Sequence, residues 1–380
     1  MRKAYWDRPK ARTKAKLEML RYYLGAWFEI LANATNADGK HRFDELAYLD
    51  GFCGRGEYAD GQDGSPLIAV RFANSVAAKR SDLTIHVILV DEIKKNIAHL
   101  NTLDPIKKPH PNVKIYAIHG SFDDTVLGVF DRLSVPRNAP TFSFVDPNGI
   151  IRSPEYTFSK LIRNQSSELF INFMEGYVNR FIEHQRDDIR EAFISAIGPE
   201  PAERVLAATD RIAAISQEYM QMLRSYGRYV RNFQMRNEKN VRDNAFFFCG
   251  NSRLGFMKIK EAMWKIDPEN GREFSAYAFA QLQVQDQLFK PEPYLHDLKS
   301  EVLECFAEGK VVTGRELKDW ADFKSERFLY KHLRYVLEEL VADEAIAYRA
   351  PASATKKRRK NTWPDDGLFN FPREAQLRAK

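Results

Sequence analysis

Short apolar runs alternate with segments of helical periodicity along the first half of the chain. The runs predict strands at 45–50, 84–91, 113–119, 141–146 and 168–174. Apolar residues at helical spacing predict helices at 66–79 and 92–102, and a long amphipathic helix at 12–33 precedes the first strand. Because the strands are apolar and alternate with helices, they predict a parallel sheet that is covered on both faces.

A polar, helix-rich stretch at 181–226 interrupts this alternation, and we interpret it as an insertion. The runs RYVRNFQM and NAFFFCGN then flank RNEKNVRD, which predicts an antiparallel hairpin at the end of the sheet. Five parallel strands plus a terminal hairpin form the seven-stranded, Rossmann-like α/β sheet of class I methyltransferases. Dinucleotide-binding folds have six strands in that sheet. We therefore expect the methyltransferase arrangement.

The pattern changes beyond residue 290. Residues 295–308 predict a helix, and VVTGRELKDWA predicts a second helix in which Thr313 and Glu316 have the spacing of a capping box. SERFLYKHLRYVLEELVADE predicts a third helix, and AIAYRA a strand. This order predicts a winged helix, whose third helix can enter a DNA groove.

These patterns divide the chain into consecutive segments. We predict an N-terminal helical segment (1–40), a methyltransferase-like domain (41–290), a winged-helix-like domain (291–350) and a basic C-terminal tail (351–380). The chain of 380 residues, 44% hydrophobic, is long enough for such domains to bury sizeable cores.

Composition also indicates the cellular compartment of the protein. No apolar run approaches the ~18 residues that a membrane helix needs. The three cysteines, Cys53, Cys249 and Cys305, are far apart and have no disulfide-framework or metal-ligand spacing. We expect a reduced, cytoplasmic protein without a membrane span or a metal site.

Three closely spaced glycines follow the first predicted strand, in AYLDGFCGRGEYADGQDGSPLIAV. Gly51, Gly54 and Gly56 leave backbone N–H groups open to a ligand, and Asp50 at the end of the strand can take a ligand amine. The alternative is a purely structural turn. A phosphate-binding loop is excluded because no Lys-Ser/Thr pair follows the glycines.

The next acidic residue separates two cofactor classes. Asp91 ends the second predicted strand, 35 residues after Gly56. Dinucleotide folds place the equivalent carboxylate about 20 residues on, so NAD fits poorly and S-adenosylmethionine (SAM) fits better. Ser121, Phe122 and Asp123 follow the third strand, where a methyltransferase holds adenine.

The combined motifs resemble those of the three-Cys-motif partner proteins (TcmP), a family similar to class I SAM-dependent methyltransferases. The resemblance is carried by the motifs TKAKLEMLRYYLGAWFEIL, YLDGFCGRGEY, DGSPLIAV, FVDPNG, ELFINFMEGYVNRF and NAFFFCGNSRLGFMKIKEAMWKI. It implies association with a second protein that bears three cysteines and is similar to radical SAM enzymes. The cysteines of this chain do not form that motif, so this chain would be the partner.

The resemblance also implies a set of cofactor contacts. The methionine moiety would be wrapped by Asp50, Gly51, Phe52, Gly54 and Gly56, with Cys53 buried against it. Asp91 would bind the ribose hydroxyls, and Phe122 with Asp123 would bind the adenine. Glu92 and Ser121 are further candidate cofactor contacts.

The end of the fourth predicted strand carries the candidate acceptor site. Nucleobase amino-methyltransferases have an acidic or amide residue, two prolines and an aromatic residue there. This chain has Asp146, Pro147, Asn148 and Gly149, so the second proline and the aromatic residue are missing. Asn172, at the end of the fifth strand, is a further candidate substrate contact. The alternative is that Asp146 and Pro147 only end a strand.

Positive charge is concentrated in three places, although the formal net charge is only +6. The candidate nucleic-acid contacts are Arg228, Arg231, Lys331, Arg334, Lys356, Lys357, Arg358 and Arg359. The alternatives are a solvated hairpin for the first two and a protein-docking surface for the winged helix.

Three hypotheses follow for the function. The first is a SAM-binding enzyme that methylates a nitrogen of a nucleic acid or of a nucleic-acid-associated substrate. The second is a non-catalytic SAM-binding partner, or DNA-binding module, of the three-cysteine protein. The third is a DNA-binding regulator whose N-terminal domain senses a metabolite.

Overall fold

The computed structural model describes residues 7–147, 149, 151, 154–182, 187–284, 293–306, 309–353 and 358–372. The chain folds into two compact units. The first comprises Met1–Ile266 and Arg272–Gln287, and the second comprises Asp267–Gly271 and Leu288–Lys380.

The first unit contains eight of the described strands. They are β1 (Glu45–Asp50), β2 (Thr84–Asp91), β3 (Val113–His119), β4 (Thr141–Val145), β5 (Glu168–Phe173), β6 (Tyr229–Arg236), β7 (Arg242–Gly250) and β8 (Glu273–Ser275). The predicted strands of the first half are confirmed to within one residue at each end.

Helices connect these strands. They are α1 (Ala11–Ala32), α2 (Ser65–Lys79), α3 (Lys94–Leu100), α4 (Asp104–Lys107), α5 (Phe122–Val126), α6 (Val129–Arg132), α7 (Pro154–Leu161), α8 (Glu175–Phe181), α9 (Asp187–Ile197), α10 (Pro199–Ala207), α11 (Arg211–Arg224), α12 (Arg253–Ile266) and α13 (Ala276–Val284). Helices α9, α10 and α11 occupy the stretch predicted as a helical insertion.

The eight strands form one sheet in the order β3-β2-β1-β4-β5-β7-β6-β8. The first five strands are parallel, and β7 runs antiparallel to both β5 and β6. The predicted mixed α/β sheet with its terminal hairpin is therefore confirmed, and its arrangement fits a Rossmann-like methyltransferase.

The predicted number of strands is wrong by one. Strand β8 pairs in parallel with β6 and makes the sheet eight-stranded instead of seven-stranded. Only three residues form it, and they are half-buried, so no apolar run in the sequence indicates this strand.

Both faces of the sheet are covered, as the apolar strands require. In β1 the alternation of side chains sends Leu46 and Tyr48 to one core and Ala47 and Leu49 to the other. All four residues are fully buried. The central strands therefore fix the loops at their carboxyl ends on a rigid support.

Helix α1 covers the first of these cores. Its apolar face repeats at three- and four-residue spacing and buries Leu17, Leu20, Leu24 and Phe28 beside residues of α2 and α12. Its polar face carries Arg12 and Lys16 in the first two turns. The same helix thus closes a core and presents charged side chains beside it.

The second unit combines three helices with a small sheet. Its elements are α14 (His296–Phe306), β9 (Val311–Thr313), α15 (Gly314–Phe323), α16 (Tyr330–Ala342), β10 (Ala347–Arg349) and β11 (Leu368–Asn370). The strands are antiparallel in the order β10-β11-β9. The capping box of Thr313 and Glu316 is present at the start of α15.

Two short strands of this unit have no counterpart in the sequence prediction. Strand β9 directly precedes α15, and β11 lies within the stretch 351–380 that was predicted as a tail. Phe369 of β11 and Phe371 after it are fully buried. None of the described helices in either unit has the length and apolar character that crossing a membrane requires.

Candidate functional site

The carboxyl ends of β1, β2, β4 and β5 carry most of the residues predicted for the site. Neighbouring strands of a parallel sheet end at the same edge, and β1 lies between β2 and β4. The strand order changes direction between β1 and β4, because β2 and β3 lie on one side of β1 and β4 and β5 on the other. Open α/β sheets bind ligands at such a topological switch point. The following contacts define this edge.

Asp50 holds the loop that follows β1. The Asp50 carboxylate is fully buried and accepts hydrogen bonds from the Phe52 backbone N–H at 3.2 Å and from the Tyr48 hydroxyl at 3.3 Å. Burial raises the pKa of Asp50 to about 7, while hydrogen bonds from Ser65 and Phe52 oppose the rise. In this structure Asp50 therefore stabilises the conformation of the glycine loop through a buried hydrogen bond to its backbone.

Asp91 ties the glycine loop to the end of β2. Its Oδ2 accepts a hydrogen bond from the Gly54 backbone N–H at 2.8 Å. Its Oδ1 accepts from the Ile93 backbone N–H at 2.8 Å and from Nδ2 of Asn96 at 3.0 Å. The structure thus brings Gly54 and Asp91 together as the sequence predicted, and it adds Asn96, which the sequence analysis missed.

The glycines are required by close contacts. A Cβ atom on Gly51 would collide with the ring of Phe122, and Gly54 has a φ of 64°, which favours glycine. Phe122 is 4% exposed, and its ring centroid lies 5.1 Å from that of Phe52. Gly56 has a φ of 96°, and a Cβ there would lie 2.7 Å from Leu100.

The remaining cofactor candidates surround this loop. Glu92 is exposed next to Asp91, and Asp123 is half-buried beside Phe122. Ser121 is the N-cap of α5 and accepts a hydrogen bond from the Asp124 backbone N–H at 3.2 Å. Cys53 is 3% exposed, and burial raises the pKa of its thiol well above the ordinary value, which disfavours the reactive thiolate form.

A second cluster lies after β4 and beside α1. The Asp146 carboxylate forms an ion pair through Oδ2 with the ammonium group of Lys16. Its Oδ1 accepts a hydrogen bond from Nδ2 of Asn172 at 2.6 Å. The side chains of Lys16 and Asp146 are only 11% and 16% exposed. The structure therefore brings Asp146 and Asn172 together, as the sequence predicted.

Two residues of β7 extend this cluster. Oδ1 of Asn172 accepts a hydrogen bond from Nδ2 of Asn244, and Asp243 forms an ion pair with Arg12 of α1. These polar groups line a cavity of about 230 Å³. The other lining residues are Lys10, Thr13, Tyr58, Pro147, Met174, Met235 and Phe246.

Sequence reasoning missed the half of this cavity that α1 and β7 contribute. Lys16 lies on the polar face of a helix, which by itself indicates only solvent exposure. A weak signal marks β7, because Asp243 and Asn244 directly precede the buried run AFFFCG. The antiparallel direction of β7 places its amino end beside the carboxyl end of β5.

A buried acid lies just beyond β5. Glu175 is fully buried in the first turn of α8, and burial raises its pKa to about 7. Its Oε1 lies 3.5 Å from Nε2 of Gln234. Asn148, another predicted catalytic residue, lies outside the described residues.

The two candidate nucleic-acid contacts of the hairpin differ in exposure. Arg228 is exposed, with its guanidinium 5.6 Å from the ring centroid of Tyr229, whereas Arg231 is 8% exposed. Lys331 of α16 is exposed, and Nη2 of Arg334 donates to the Tyr335 hydroxyl at 3.1 Å.

The two described arginines of the basic run between β10 and β11 also differ in exposure. Arg358 donates to both carboxylate oxygens of Glu338, at 2.8 and 3.0 Å, and its guanidinium lies 3.6 Å from the Trp363 ring centroid. Arg359 is exposed. Lys356 and Lys357 lie outside the described residues.

Comparisons with known proteins find similarity only to solved structures. No family model and no curated protein matches this chain. A protein from Staphylococcus aureus assigned as a caffeoyl-CoA O-methyltransferase is 11% identical, with 54% of this chain and 76% of that chain covered and a TM-score of 0.30.

Two further solved structures are methyltransferase complexes. A geranyl diphosphate methyltransferase with SAM is 12% identical, covering 60% of this chain and 85% of that chain at a TM-score of 0.25. The geranyl diphosphate C-methyltransferase from Streptomyces coelicolor A3(2), with Mg²⁺, geranyl diphosphate and S-adenosyl-L-homocysteine, is 12% identical, covering 60% and 79% at a TM-score of 0.26. Because these TM-scores are low, the description of the fold rests on the strand order of this chain and not on the solved structures.

Proposed function

We propose that this chain is a SAM-dependent, class I methyltransferase-like protein that methylates a nitrogen of a nucleic acid or of a nucleic-acid-associated substrate. The observation that carries the proposal is the hydrogen bond from Gly54 to Asp91, which joins a glycine loop to a neighbouring carboxylate at the switch point of the sheet. The acceptor cluster of Asp146 lies at the same edge.

The glycine loop fits the methionine and nucleoside parts of SAM. The loop has no side chain at Gly54, so its backbone there allows a ligand to approach closely. Asp91, with the exposed carboxylate of Glu92 next to it, would border the ribose. Ser121, Phe122 and Asp123 would border the adenine, and SAM would supply an activated methyl group.

The residues of the acceptor site would act mainly by positioning. Carboxylate oxygens accept hydrogen bonds, so Asp146 can hold the N–H of an acceptor amine and direct its nitrogen lone pair. Asn172 holds Asp146 through the 2.6 Å hydrogen bond. Orientation of two reactants in one site can account for most of the rate enhancement of such a transfer.

Calorimetry with SAM and with S-adenosylhomocysteine tests the cofactor part of the proposal. We expect saturable binding by the wild-type protein and its loss in Gly51→Val, because the added side chain collides with Phe122. Gly128→Ala is the matched control, since no atom lies within 4 Å of a Cβ at that position. If neither SAM nor S-adenosylhomocysteine gives a detectable heat of binding at millimolar concentration, the proposal is refuted.

Methyl incorporation into cell nucleic acid tests the reaction. We expect incorporation by the wild-type protein and its loss in Asp146→Ala with unchanged S-adenosylhomocysteine affinity. The assay is run with and without the three-cysteine partner, which remains part of the proposal. Incorporation that is unaffected by Asp146→Ala would remove this residue from the reaction.

The second unit supports a nucleic-acid-binding role within this proposal. Its order of helix, strand, helix, helix, strand and strand is that of a winged helix, and its three strands form one antiparallel sheet. In a winged helix the wing connects the last two strands, and the exposed Arg359 lies between β10 and β11. Salt-dependent retardation of duplex DNA by the full chain tests this role.

A non-catalytic cofactor-binding role is the second candidate. The observation in its favour is that both oxygens of the Asp146 carboxylate already have partners, Lys16 and Asn172. A protein that binds SAM but transfers no methyl group, alone or with its partner, would support this role instead.

A further inference from the structure

The Lys16–Asp146 ion pair lies inside the acceptor cavity. Lys16 projects from the second turn of α1, and its ammonium contacts Oδ2 of Asp146 while Asn172 contacts Oδ1. An isolated helix–loop ion pair on the surface contributes little to stability. This pair is largely buried and lines the cavity, so it also defines what a ligand of Asp146 meets.

The ion pair leaves room for a neutral donor. A carboxylate offers about four lone-pair positions, and two of those of Asp146 are taken by Lys16 and Asn172. A neutral N–H group can use a remaining position without moving Lys16. A protonated amine would place a second ammonium beside the first, and like charges at this distance repel.

The other charged residues that line the cavity also favour a neutral ligand. The second lining carboxylate, Asp243, is paired with Arg12, and Glu238 lies 3.7 Å from the same guanidinium. Lys10 adds a further positive charge to the lining. The buried Glu175 of the neighbouring α8 does not line the cavity. Among the described lining residues, each carboxylate therefore has a cation in contact.

We propose that Lys16 determines the charge of the acceptor: the cavity selects a neutral nitrogen, such as an aromatic amine or an amide N–H, over a protonated alkyl amine. The inference takes the role of the cavity as the acceptor site from the proposed function. It makes Lys16 a specificity-determining residue, a role that the sequence motif containing it did not indicate.

The selection matches the chemistry of methyl transfer. The acceptor nitrogen uses its lone pair to form the new C–N bond, the S–C bond breaks, and its electron pair remains on sulfur. The proton lost from the nitrogen passes to solvent. A protonated amine has no lone pair for this step, and a nearby ammonium such as that of Lys16 favours the neutral form of an amine.

Two small probes of the same shape test the proposal. Benzamide carries a neutral N–H group and benzamidine a cation, and both are small enough for a cavity of about 230 Å³. Their affinities are measured by ligand-observed NMR at neutral pH, without a methyl donor. We expect the wild-type protein to prefer benzamide by about tenfold, and Lys16→Met to abolish or reverse that preference.

Three controls separate this effect from misfolding. Lys14→Met changes an exposed lysine of the same helix and should leave the preference unchanged. Lys16→Arg keeps the positive charge and should retain the preference. Thermal unfolding of Lys16→Met shows whether the variant is folded, and Lys16→Gln replaces it if it is not.

Several outcomes would overturn the proposal. These are tighter binding of benzamidine by the wild-type protein, a preference that does not change when Lys16 is neutralised, and failure of both probes to bind. A Lys16-dependent preference in a protein that does not bind SAM would refute the proposed function and leave the charge selectivity intact. SAM binding without a Lys16-dependent preference would refute only the inference about Lys16.

Discussion

Nδ2 of Asn244 donates a hydrogen bond to Oδ1 of Asn172, although 72 residues separate them along the chain. The direction of this bond is dictated by Asp146, because an ionised carboxylate can only accept and the amide nitrogen of Asn172 must face it. Asn244 and Asp146 therefore fix the Asn172 amide from both ends. The cluster therefore joins the end of β4 to β5 and β7.

Asn244→Ala should weaken methyl transfer without weakening cofactor binding. The substitution removes one of the two groups that orient Asn172, so we expect methyl incorporation to fall about tenfold, which corresponds to about 1.4 kcal/mol. Calorimetry should give an unchanged affinity for S-adenosylhomocysteine. Asn232→Ala is the matched control, because Asn232 donates to Ser216 elsewhere. Equal incorporation by both variants would show that Asn244 has no positioning role.

Gly51→Ala should destabilise the folded protein by about 1–3 kcal/mol, the usual cost of overpacking. Its Cβ would occupy the space of the Phe122 ring. Phe122→Ala in the same chain removes that ring and should recover part of the loss, so the two changes should be non-additive in urea unfolding. Additive free energies of unfolding would mean that the two residues do not contact each other.

The stability of the protein should fall as the pH rises through the range in which Glu168 titrates. Glu168 is 3% exposed and accepts a hydrogen bond from the Tyr23 hydroxyl at 2.6 Å. Burial raises its pKa from 4.5 to about 7, so the folded state keeps a proton that the unfolded state releases. The contribution is fully present below pH 4.5 and is lost by about pH 7.

Glu168→Gln should remove this part of the pH dependence. A glutamine cannot ionise and can still accept the Tyr23 hydrogen bond, so the difference in unfolding free energy between pH 4.5 and pH 8 should shrink by up to about 3 kcal/mol. Urea unfolding at the two pH values measures it. Glu18→Gln, at an exposed position of the same helix as Tyr23, should leave the difference unchanged. An unaltered pH dependence in Glu168→Gln would contradict the assignment.

Arg358→Ala should destabilise the second unit and not only reduce its charge. The side chain contacts both the Glu338 carboxylate and the Trp363 ring. Loss of the cation–π contact and of these hydrogen bonds should cost about 1–2 kcal/mol. Arg359→Ala removes the same charge from the neighbouring exposed position and should leave stability unchanged. Thermal unfolding distinguishes them, and equal melting temperatures would refute the structural role of Arg358.

The sequence predicted the first unit well because its strands are long apolar runs with a clear period. Five parallel strands and the β6–β7 hairpin were predicted close to their observed bounds. Strand β8 was missed because only three half-buried residues form it, which is too few for a recognisable period in the sequence. Strands β9 and β11 are equally short and depend on tertiary contacts of the second unit.

The site was predictable only where it lies within local motifs. Asp146 and Asn172 each follow or end an apolar run, so their position at the sheet edge followed from the strand pattern. Lys16, Arg12 and Asn244 reach the same cavity through packing between distant segments. Such packing leaves no local periodicity. Lys16 and Asn244 lie within motifs of the family resemblance, but the sequence indicated no site role for them.

The ion pairs of α1 have a consequence for how the protein matures during synthesis. Arg12 is made 231 residues before its partner Asp243. At about 5–20 residues per second, a ribosome needs on the order of 10–50 seconds to cover that distance. The nascent chain therefore carries its amphipathic first helix without the partners of Arg12 for that whole interval, and the cavity lined by Asp146 and Asp243 is completed only after β7 has emerged.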